Sequence, residues 1–129
     1  MAASQFEQVG RAFVEHYYRT FDADRAQLLP LYQPQSMLTF EGQQFQGAQA
    51  ILQKLTGLPF AKVQHQVITI DSQPSPAQNS PTGVLVFVSG TLLVEGSEQP
   101  LKFSQVFNLM PLPTGGYFCF NDMFRLNYG

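Results

Sequence analysis

The sequence has 129 residues, which fits one domain over 1–129 and leaves little room for a second. Hydrophobic residues make up 44% of the chain and charged residues only 12%, about half the usual share, which argues against extensive disorder. The net charge is -2, with seven basic residues and no basic run, which argues against binding to nucleic acid or to an anionic membrane.

The first half of the chain is predicted to be mainly helical, because apolar residues recur there at helical spacing. Three helices are expected. The first starts at Ser4, which forms a capping box with Glu7, and its apolar positions continue to Phe21. The second is capped by Asp24 with Gln27 and runs through Leu31, and the third runs from Ala48 to Thr56 and is closed by Gly57. Pro30 should shorten or kink the second helix. Ile51 and Leu55 form the inner face of the third, and a short strand is expected at Met37 to Glu41.

After Pro59 the apolar period changes from about four residues to two, which predicts strands. The expected strands and connections are Val63 to Gln73, a loop over 74–83, Val84 to Val94, a polar turn over 95–100, Leu101 to Met110 and Tyr117 to Tyr128. Alternation groups Leu101, Phe103, Gln105, Phe107 and Leu109 on one face, and Phe118, Phe120, Phe124 and Leu126 on another. Helices followed by an antiparallel meander predict an α+β fold, in which a curved sheet wraps around the helices and leaves a pocket at its open end.

Motifs and composition predict no cofactor and no metal site. Cys119 is the single cysteine, which excludes an internal disulfide and favours a reducing compartment such as the cytosol or the nucleus. His16 and His65 carry no metal-ligand spacing, and the chain has no phosphate-binding loop. The first ten residues lack the regions of a signal peptide, and no apolar run approaches the roughly 20 residues of a membrane span.

Two acidic features are candidates for recognition of a basic partner. Glu41 follows Phe40 at a strand end, and an acid beside an exposed aromatic suits a motif that is both basic and apolar. Glu95 and Glu98 make a turn acidic without a nearby basic residue, which would attract a cationic partner. Solvated strand ends and turns often carry such acids for solubility alone, and composition by itself favours that interpretation.

Three polar residues of the strands also have structural interpretations. His65 alternates with apolar neighbours and is either a packed, hydrogen-bonded histidine or a site residue. Asp122 and Arg125 require a partner if they are buried, and a structural ion pair is their expected use.

The sequence resembles the nuclear transport factor 2 family along essentially its whole length. The stretches that carry the resemblance are HYYRTFDADRAQLLPLY (16–32), SMLTFEGQQFQGAQAILQKL (36–55), LPFAKVQH (58–65) and FNDMFRLNYG (120–129), whose ending is similar to plant and fungal members. The resemblance implies a cone-like fold of three N-terminal helices packed on a strongly curved antiparallel sheet with an apolar cavity. It also implies a homodimer formed by the sheets of two subunits, and the alternating aromatics of strands 101–110 and 117–128 are expected to supply the apolar face.

The resemblance further implies a carrier of the Ran GTPase in its GDP form. In this family an aromatic side chain of Ran enters the cavity, and basic groups of Ran pair with acids at the rim. The positions that match the family's Ran-binding residues are Phe40, Glu41, Leu58, Val63, His65, Glu95 and Glu98. Many animal members have Trp where this chain has Phe40, so the aromatic here is smaller.

Two other positions match the family's contact with FxFG-repeat nucleoporins. They are Phe6, where Trp is frequent, and Asp22. From the residues alone, the favoured role of Phe6 is packing onto its own core at the start of the helix. The resemblance thus implies transport of Ran-GDP through nuclear pores, with the protein in the cytoplasm and the nucleus and enriched at the nuclear envelope.

Two other functions remain open on the same scaffold. An isomerase- or dehydratase-like enzyme would need an acid or a histidine in the cavity. His65 with Asp71, on the same strand face by parity, is the one pair available, but about 20 Å along the strand separates them, which is too far for them to act together. A relative that forms heterodimers and supports messenger-RNA export would share the fold and lose the acids, whereas this chain keeps Glu41 and Glu95.

Overall fold

The computed structural model describes residues 2–59, 62–75 and 83–127, with side chains from residue 5 onwards. The elements in chain order are helix α1 (Ala2–Ala23), the 3-10 helix η1 (Arg25–Leu31), strands β1 (Tyr32–Phe40) and β2 (Gln43–Gln46), helix α2 (Ala48–Thr56), and strands β3 (Val63–Ser75), β4 (Gly83–Val94), β5 (Leu101–Pro111) and β6 (Tyr117–Leu126). Helical segments concentrated in the first half of the chain and long strands in the second half confirm the predicted α+β class.

The strands form one sheet in the order β2-β1-β6-β5-β4-β3. Neighbours pair antiparallel except β1 and β6, which run parallel, so the C-terminal strand lies between the two halves of the chain. The register shifts between Val67 and Thr69 in β3 and between Asn108 and Leu109 against β6. Extra residues at such bulges bend strands and increase their twist, which curves the sheet around the helices.

Gly90 shows how tightly the sheet bends at the β3 bulge. It pairs with Val67, and a Cβ atom at Gly90 would lie 2.2 Å from the carbonyl oxygen of Gln66. Because no side chain fits at that distance, the close approach of β3 and β4 depends on glycine.

The helices form where their apolar spacing predicts them. Helix α1 buries one stripe against the sheet, made of Phe13, Val14, Tyr17, Tyr18 and Phe21. Asp24 caps η1 by accepting a hydrogen bond from the backbone of Ala26 at 3.1 Å. Helix α2 has the predicted bounds, it buries Ile51 and Leu55, and the backbone of Gly57 closes it.

Three predicted boundaries are wrong. Helix α1 already begins at Ala2, so Ser4 does not start it, and the Ser4 side chain of the predicted capping box lies outside the described residues. Strand β1 begins at Tyr32 rather than Met37, because Tyr32 already pairs with Cys119 of β6 before a register shift that precedes Met37. Within the shifted stretch, the buried Ser36 side chain donates a hydrogen bond to the Cys119 carbonyl. Of the predicted 74–83 loop, 74 and 75 end β3, Gly83 begins β4, and 76–82 lie outside the described residues.

Strand β2 is an element that the sequence analysis missed. Its four residues, QQFQ, are polar except Phe45, so they give no apolar alternation. The strand forms because Glu41 and Gly42 make a two-residue turn with φ of 51° and 86°, as the twist of a tight hairpin requires.

The faces of β5 and β6 divide differently from the prediction. Phe103, Gln105, Phe107 and Leu109 are buried on the inner face, but Leu101 is exposed at the strand start. The grouping predicted for β6 is wrong, because the extra residue Phe120 in β6 shifts the register, so that Phe118 pairs with Met110 and Phe124 with Gln105, on opposite faces.

The outer face of the sheet is apolar, although its residues are mostly not the predicted aromatics. Phe103, Phe107 and Phe124 belong to the core. The outer residues with 40% or more of their surface exposed are Leu85, Phe87 and Met123, and Val106 pairs with the last two. We call these four residues the outer patch.

Candidate functional site

A pocket opens between the helices and the inner face of the sheet; its enclosed volume is about 30 Å³, and about 360 Å³ of space is counted when the open solvent at its mouth is included. We call it the cavity. Its lining residues are Tyr17, Phe21, Leu38, Phe40, Leu55, Leu58, Val63, His65, Leu92, Gln105 and Phe124. The fold thus brings together four residues that the sequence analysis assigned to Ran binding: Phe40, Leu58, Val63 and His65.

Phe40 is held between an aromatic ring and a cation. Its ring stacks on that of Phe124 with centroids 4.7 Å apart and an interplanar angle of 17°. The ammonium nitrogen of Lys54 lies 5.2 Å from the Phe40 centroid and 5.6 Å from that of Phe45. These contacts on both sides restrict the ring that ends β1, so the apolar wall at this place is preorganised.

His65 is fixed by an acid that the sequence analysis had assigned elsewhere. The Asp22 carboxylate accepts a hydrogen bond from the His65 backbone N–H at 2.8 Å and lies 2.6 Å from the His65 ring nitrogen Nδ1. The His65 side chain is only 3% exposed and that of Asp22 is 23% exposed. No local pattern could have paired these residues, because they lie 43 positions apart.

Glu41 lies next to the cavity at the tip of the β1–β2 turn. Its φ of 51° falls in the left-handed region, where Asn or Gly is usual in such turns. Its backbone N–H donates to the Phe124 carbonyl, and its carboxylate accepts a hydrogen bond from the Leu126 backbone at 2.5 Å. The acid is therefore tied to β6, beside the Phe40–Phe124 stack.

Glu95 and Glu98 are exposed in the turn between β4 and β5. A groove on the protein surface contains Glu95 together with Asp22 and Lys62, and another contains Glu98 together with His65. Both acids therefore lie beside residues of the cavity or of its Asp22–His65 contact, on the protein surface next to it.

A polar network lies behind the cavity wall and was also missed. Asp122 is 1% exposed and accepts hydrogen bonds from Tyr32 and from Gln105, each at 2.7 Å. Tyr18 donates to the Gln105 side-chain oxygen at 2.6 Å, and the hydroxyl oxygens of Tyr32 and Tyr17 lie 3.2 Å apart. The predicted ion pair with Arg125 is wrong, because Asp122 faces inward to these neutral partners while Arg125 is exposed.

Burial sets the protonation of this network. Desolvation raises the pKa of Asp122 to about 6, against hydrogen bonds from Gln105, Tyr32 and Tyr17 that act to lower it. Burial and the nearby Asp122 carboxylate raise the pKa values of Tyr17 and Tyr32 well above the usual range. The phenols therefore act as neutral hydrogen-bonding groups, and Asp122 changes charge within the range from acidic to neutral pH.

The pair suggested for an enzyme does not come together. His65 pairs with the buried Leu92, and Asp71 pairs with the exposed Phe87, so they lie on opposite faces of the sheet. In a regular strand, alternation of side chains would put both residues on one face, but the extra residue Ile68 reverses the alternation between them. Asp122 does not replace Asp71 in this role, because neutral side chains of the network occupy both of its oxygens.

Phe6 and Asp22 lie near the two ends of α1. They are sixteen positions apart, which is about 24 Å along a helix axis. Phe6 is partly buried and packs against the core, whereas Asp22 contacts His65. One short peptide motif does not reach both residues within a single protomer, and their role in nucleoporin binding stays a prediction.

Among residues 5–59, 62–75 and 83–127, no group of three or more acidic, histidine or cysteine side chains is placed to hold a metal ion. Within the described part of the chain, no helix is both long and apolar enough to span a membrane.

Comparison with known proteins identifies the family that these features fit. Residues 9–126 match the model of the nuclear transport factor 2 domain. Nuclear transport factor 2B of Arabidopsis thaliana is 58% identical over 123 residues, 95% of this chain and 94% of that protein. Nuclear transport factor 2 of Emericella nidulans is 50% identical over 125 residues, 97% of this chain and 98% of that protein. The solved structure of nuclear transport factor 2 from Cryptosporidium parvum is 52% identical, covers 95% of both chains and superimposes with a TM-score of 0.88.

Proposed function

The chain belongs to the nuclear transport factor 2 family, and we propose that it carries Ran in its GDP form into the nucleus. Its high identity to plant and fungal nuclear transport factors makes it a nucleocytoplasmic transport carrier. The observation that carries the finer proposal is the grouping of Phe40, Leu58, Val63 and His65 around one apolar cavity.

The apolar lining of the cavity favours an inserted aromatic side chain. Burying a phenylalanine side chain contributes about 1.5–3 kcal/mol, from which the cost of widening the pocket is subtracted. The Phe40 ring already packs between Phe124 and Lys54, which lowers the cost of ordering the wall. An aromatic residue of Ran's switch II would thus gain most of its binding energy from apolar burial.

The acids around the cavity suit the basic groups beside that aromatic residue. Glu41 is held by the turn and by β6, while Glu95 and Glu98 project from an exposed turn. Charge pairs at such a rim increase the association rate and the specificity more than the affinity. Discrimination between GDP and GTP needs no contact with the nucleotide, since switch II presents its aromatic residue differently in the two states.

The proposal includes a homodimer and weak contacts with FxFG-repeat nucleoporins. The outer patch of Leu85, Phe87, Val106 and Met123 is the apolar surface available for a second copy. A nucleoporin contact at Phe6 would be weak and fast, as passage through the pore requires. The protein would accordingly move between cytoplasm and nucleus and concentrate at the nuclear envelope.

Calorimetry with Ran-GDP and with Ran bound to a non-hydrolysable GTP analogue tests the proposal. We expect binding of the GDP form alone, at micromolar or lower Kd, and at least tenfold weaker binding for Glu41→Lys. Glu15→Lys makes the same charge change at an exposed position of α1 and should leave the affinity unchanged. Glu41→Gln removes the negative charge but keeps the turn contact, because its amide oxygen can still accept the hydrogen bond from the Leu126 backbone. This variant therefore distinguishes the effect of the charge on Ran binding from the effect of the turn structure.

Each other outcome has a defined meaning. Binding of both nucleotide forms would show that the protein does not distinguish the two states of switch II. Binding of neither form by a stable dimer would contradict the carrier function and favour the enzyme or the export adaptor. In that case, association with a larger partner would distinguish the adaptor from the enzyme.

A further inference from the structure

The contact between Asp22 and His65 uses one carboxylate to fix two parts of the same residue. Oδ2 accepts from the His65 backbone N–H, and Oδ1 lies 2.6 Å from Nδ1 of the ring. Since an ionised carboxylate only accepts hydrogen bonds, Nδ1 carries the proton in this contact. In a neutral imidazole this leaves the other ring nitrogen, Nε2, as an acceptor.

His65 is one of the residues that line the cavity. None of the described residues forms a hydrogen bond with Nε2. The other polar side chains of the wall are satisfied, because Tyr17 lies against Tyr32 and Gln105 bonds to Tyr18 and Asp122. An inserted partner group therefore meets one free acceptor in an otherwise apolar surface.

Aromatic neighbours hold the imidazole in this orientation. The centroids of Tyr18, Phe21 and Phe103 lie 4.6, 5.0 and 5.4 Å from that of His65. Turning the ring over would place a carbon atom where Nδ1 meets Asp22 and would lose the bond to the carboxylate. The packing and the carboxylate thus favour the same placement of Nε2.

We propose that Asp22 is a positioning residue of the cavity, which holds His65 in its Nδ1–H form so that Nε2 accepts a hydrogen bond from an N–H or O–H donor beside the inserted aromatic ring. This inference rests on the proposed function, because it concerns the same cavity and the same partner. It gives Asp22 a role in cavity recognition, separate from the predicted contact with nucleoporins.

The tautomer of His65 is the readout that a merely structural role of Asp22 would not move. Nitrogen chemical shifts from long-range proton–nitrogen spectra of the free protein identify which ring nitrogen carries the proton. We expect Nδ1–H in the native protein and in Glu15→Gln, a matched charge loss on the exposed side of α1. In Asp22→Asn the amide can donate to Nδ1, so the proton should move to Nε2. A native ring that carries a proton on Nε2, alone or together with one on Nδ1, or an unchanged tautomer in Asp22→Asn, would overturn the proposal.

Calorimetry then shows whether the tautomer matters for binding. Asp22→Asn should weaken binding of Ran-GDP about tenfold, as expected for one lost hydrogen bond, while an FxFG peptide binds as before. His65→Phe should cause a similar loss, and the double variant should lose no more than either single variant, because both remove the same interaction. Full additivity, or loss of FxFG binding alone in Asp22→Asn, would overturn the role in the cavity.

The two readouts separate this inference from the function on which it rests. If the native chain fails to bind Ran-GDP, the proposed function is contradicted. The proposed hydrogen bond from a donor of Ran to His65 Nε2 is then contradicted as well. The spectra of the free protein still decide whether Asp22 sets the tautomer of His65, because they need no partner.

Discussion

The inner and outer faces of the same sheet differ in how completely their residues are packed. The inner face buries Phe103, Phe107 and the Asp122 network, in which both oxygens of the carboxyl have partners. The outer face leaves Leu85, Phe87 and Met123 at least 40% exposed. The inner face therefore contributes most of the stability of the monomer, whereas the outer face shows its contribution only when another surface covers it.

The largest expected effect comes from opening the inner network. Asp122→Ala removes the acceptor of two buried donors, Tyr32 and Gln105, and each unsatisfied group costs about 1–3 kcal/mol, so we expect a loss of about 4 kcal/mol at pH 5. Asp71→Ala changes the same residue type on the exposed outer side and should cost less than about 0.5 kcal/mol. Urea unfolding measures both, and equal losses would contradict the difference between the faces.

The second expected effect is a pH dependence that the inner face alone supplies. Because folding raises the pKa of Asp122 from 3.8 to about 6, the native state binds the extra proton. The stabilisation from this proton uptake is fully present below pH 3.8 and is lost as pH rises through about 6. The free energy of unfolding changes by about 3 kcal/mol as a result. Asp122→Asn cannot titrate, so its stability relative to the native protein should rise between pH 4 and pH 7. A constant difference over that range would show that the carboxyl is not desolvated as the structure indicates.

A third prediction concerns the outer patch. Phe87→Lys should weaken the proposed dimer at least tenfold, since it replaces a central apolar contact by a charge that dimerisation would bury. Sedimentation measures the association, and circular dichroism should remain native. Ile68→Lys provides the control, because Ile68 is 69% exposed but lies in a groove with Arg11 and Glu15. If both variants dissociate alike, general charge repulsion rather than the outer patch is responsible.

The smallest effect is expected at the edge of the inner face. Lys54→Met keeps the length and the apolar stem of the side chain but removes the cation above Phe40, at a cost of about 0.5–1 kcal/mol in unfolding free energy. Lys54→Arg should restore most of that loss. If Lys54→Arg is no more stable to unfolding than Lys54→Met, the Lys54 side chain stabilises the protein through its apolar stem alone.

Elements with a strong local pattern could be predicted from the sequence. Helix α2 has the predicted bounds because apolar residues at helical spacing end at Gly57. The inner face of β5 was predicted by alternation, since four of its five expected residues are buried. The cavity residues came from the family resemblance instead, because no local pattern distinguishes Leu58 or Val63 from other core residues.

Features that depend on the bends of the sheet could not be predicted in the same way. One extra residue at Ile68 places His65 and Asp71 on opposite faces, and another at Phe120 separates Phe118 from Phe124. Parity counted along a sequence assumes a regular strand and fails after each bulge. The contact of Asp22 with His65 spans 43 positions and follows only from the packing of α1 on β3.

The parallel pairing of β1 with β6 has a consequence for how the protein is made. The cavity wall runs from Tyr17 to Phe124, and Phe40 finds its stacking partner only when the final strand is inserted beside it. A chain emerging from the ribosome therefore has no finished cavity until β6 has been synthesised, and pairing across such a sequence distance is slow. Binding of a partner at this place consequently selects molecules in which β6 has paired with β1 over those in which it has not.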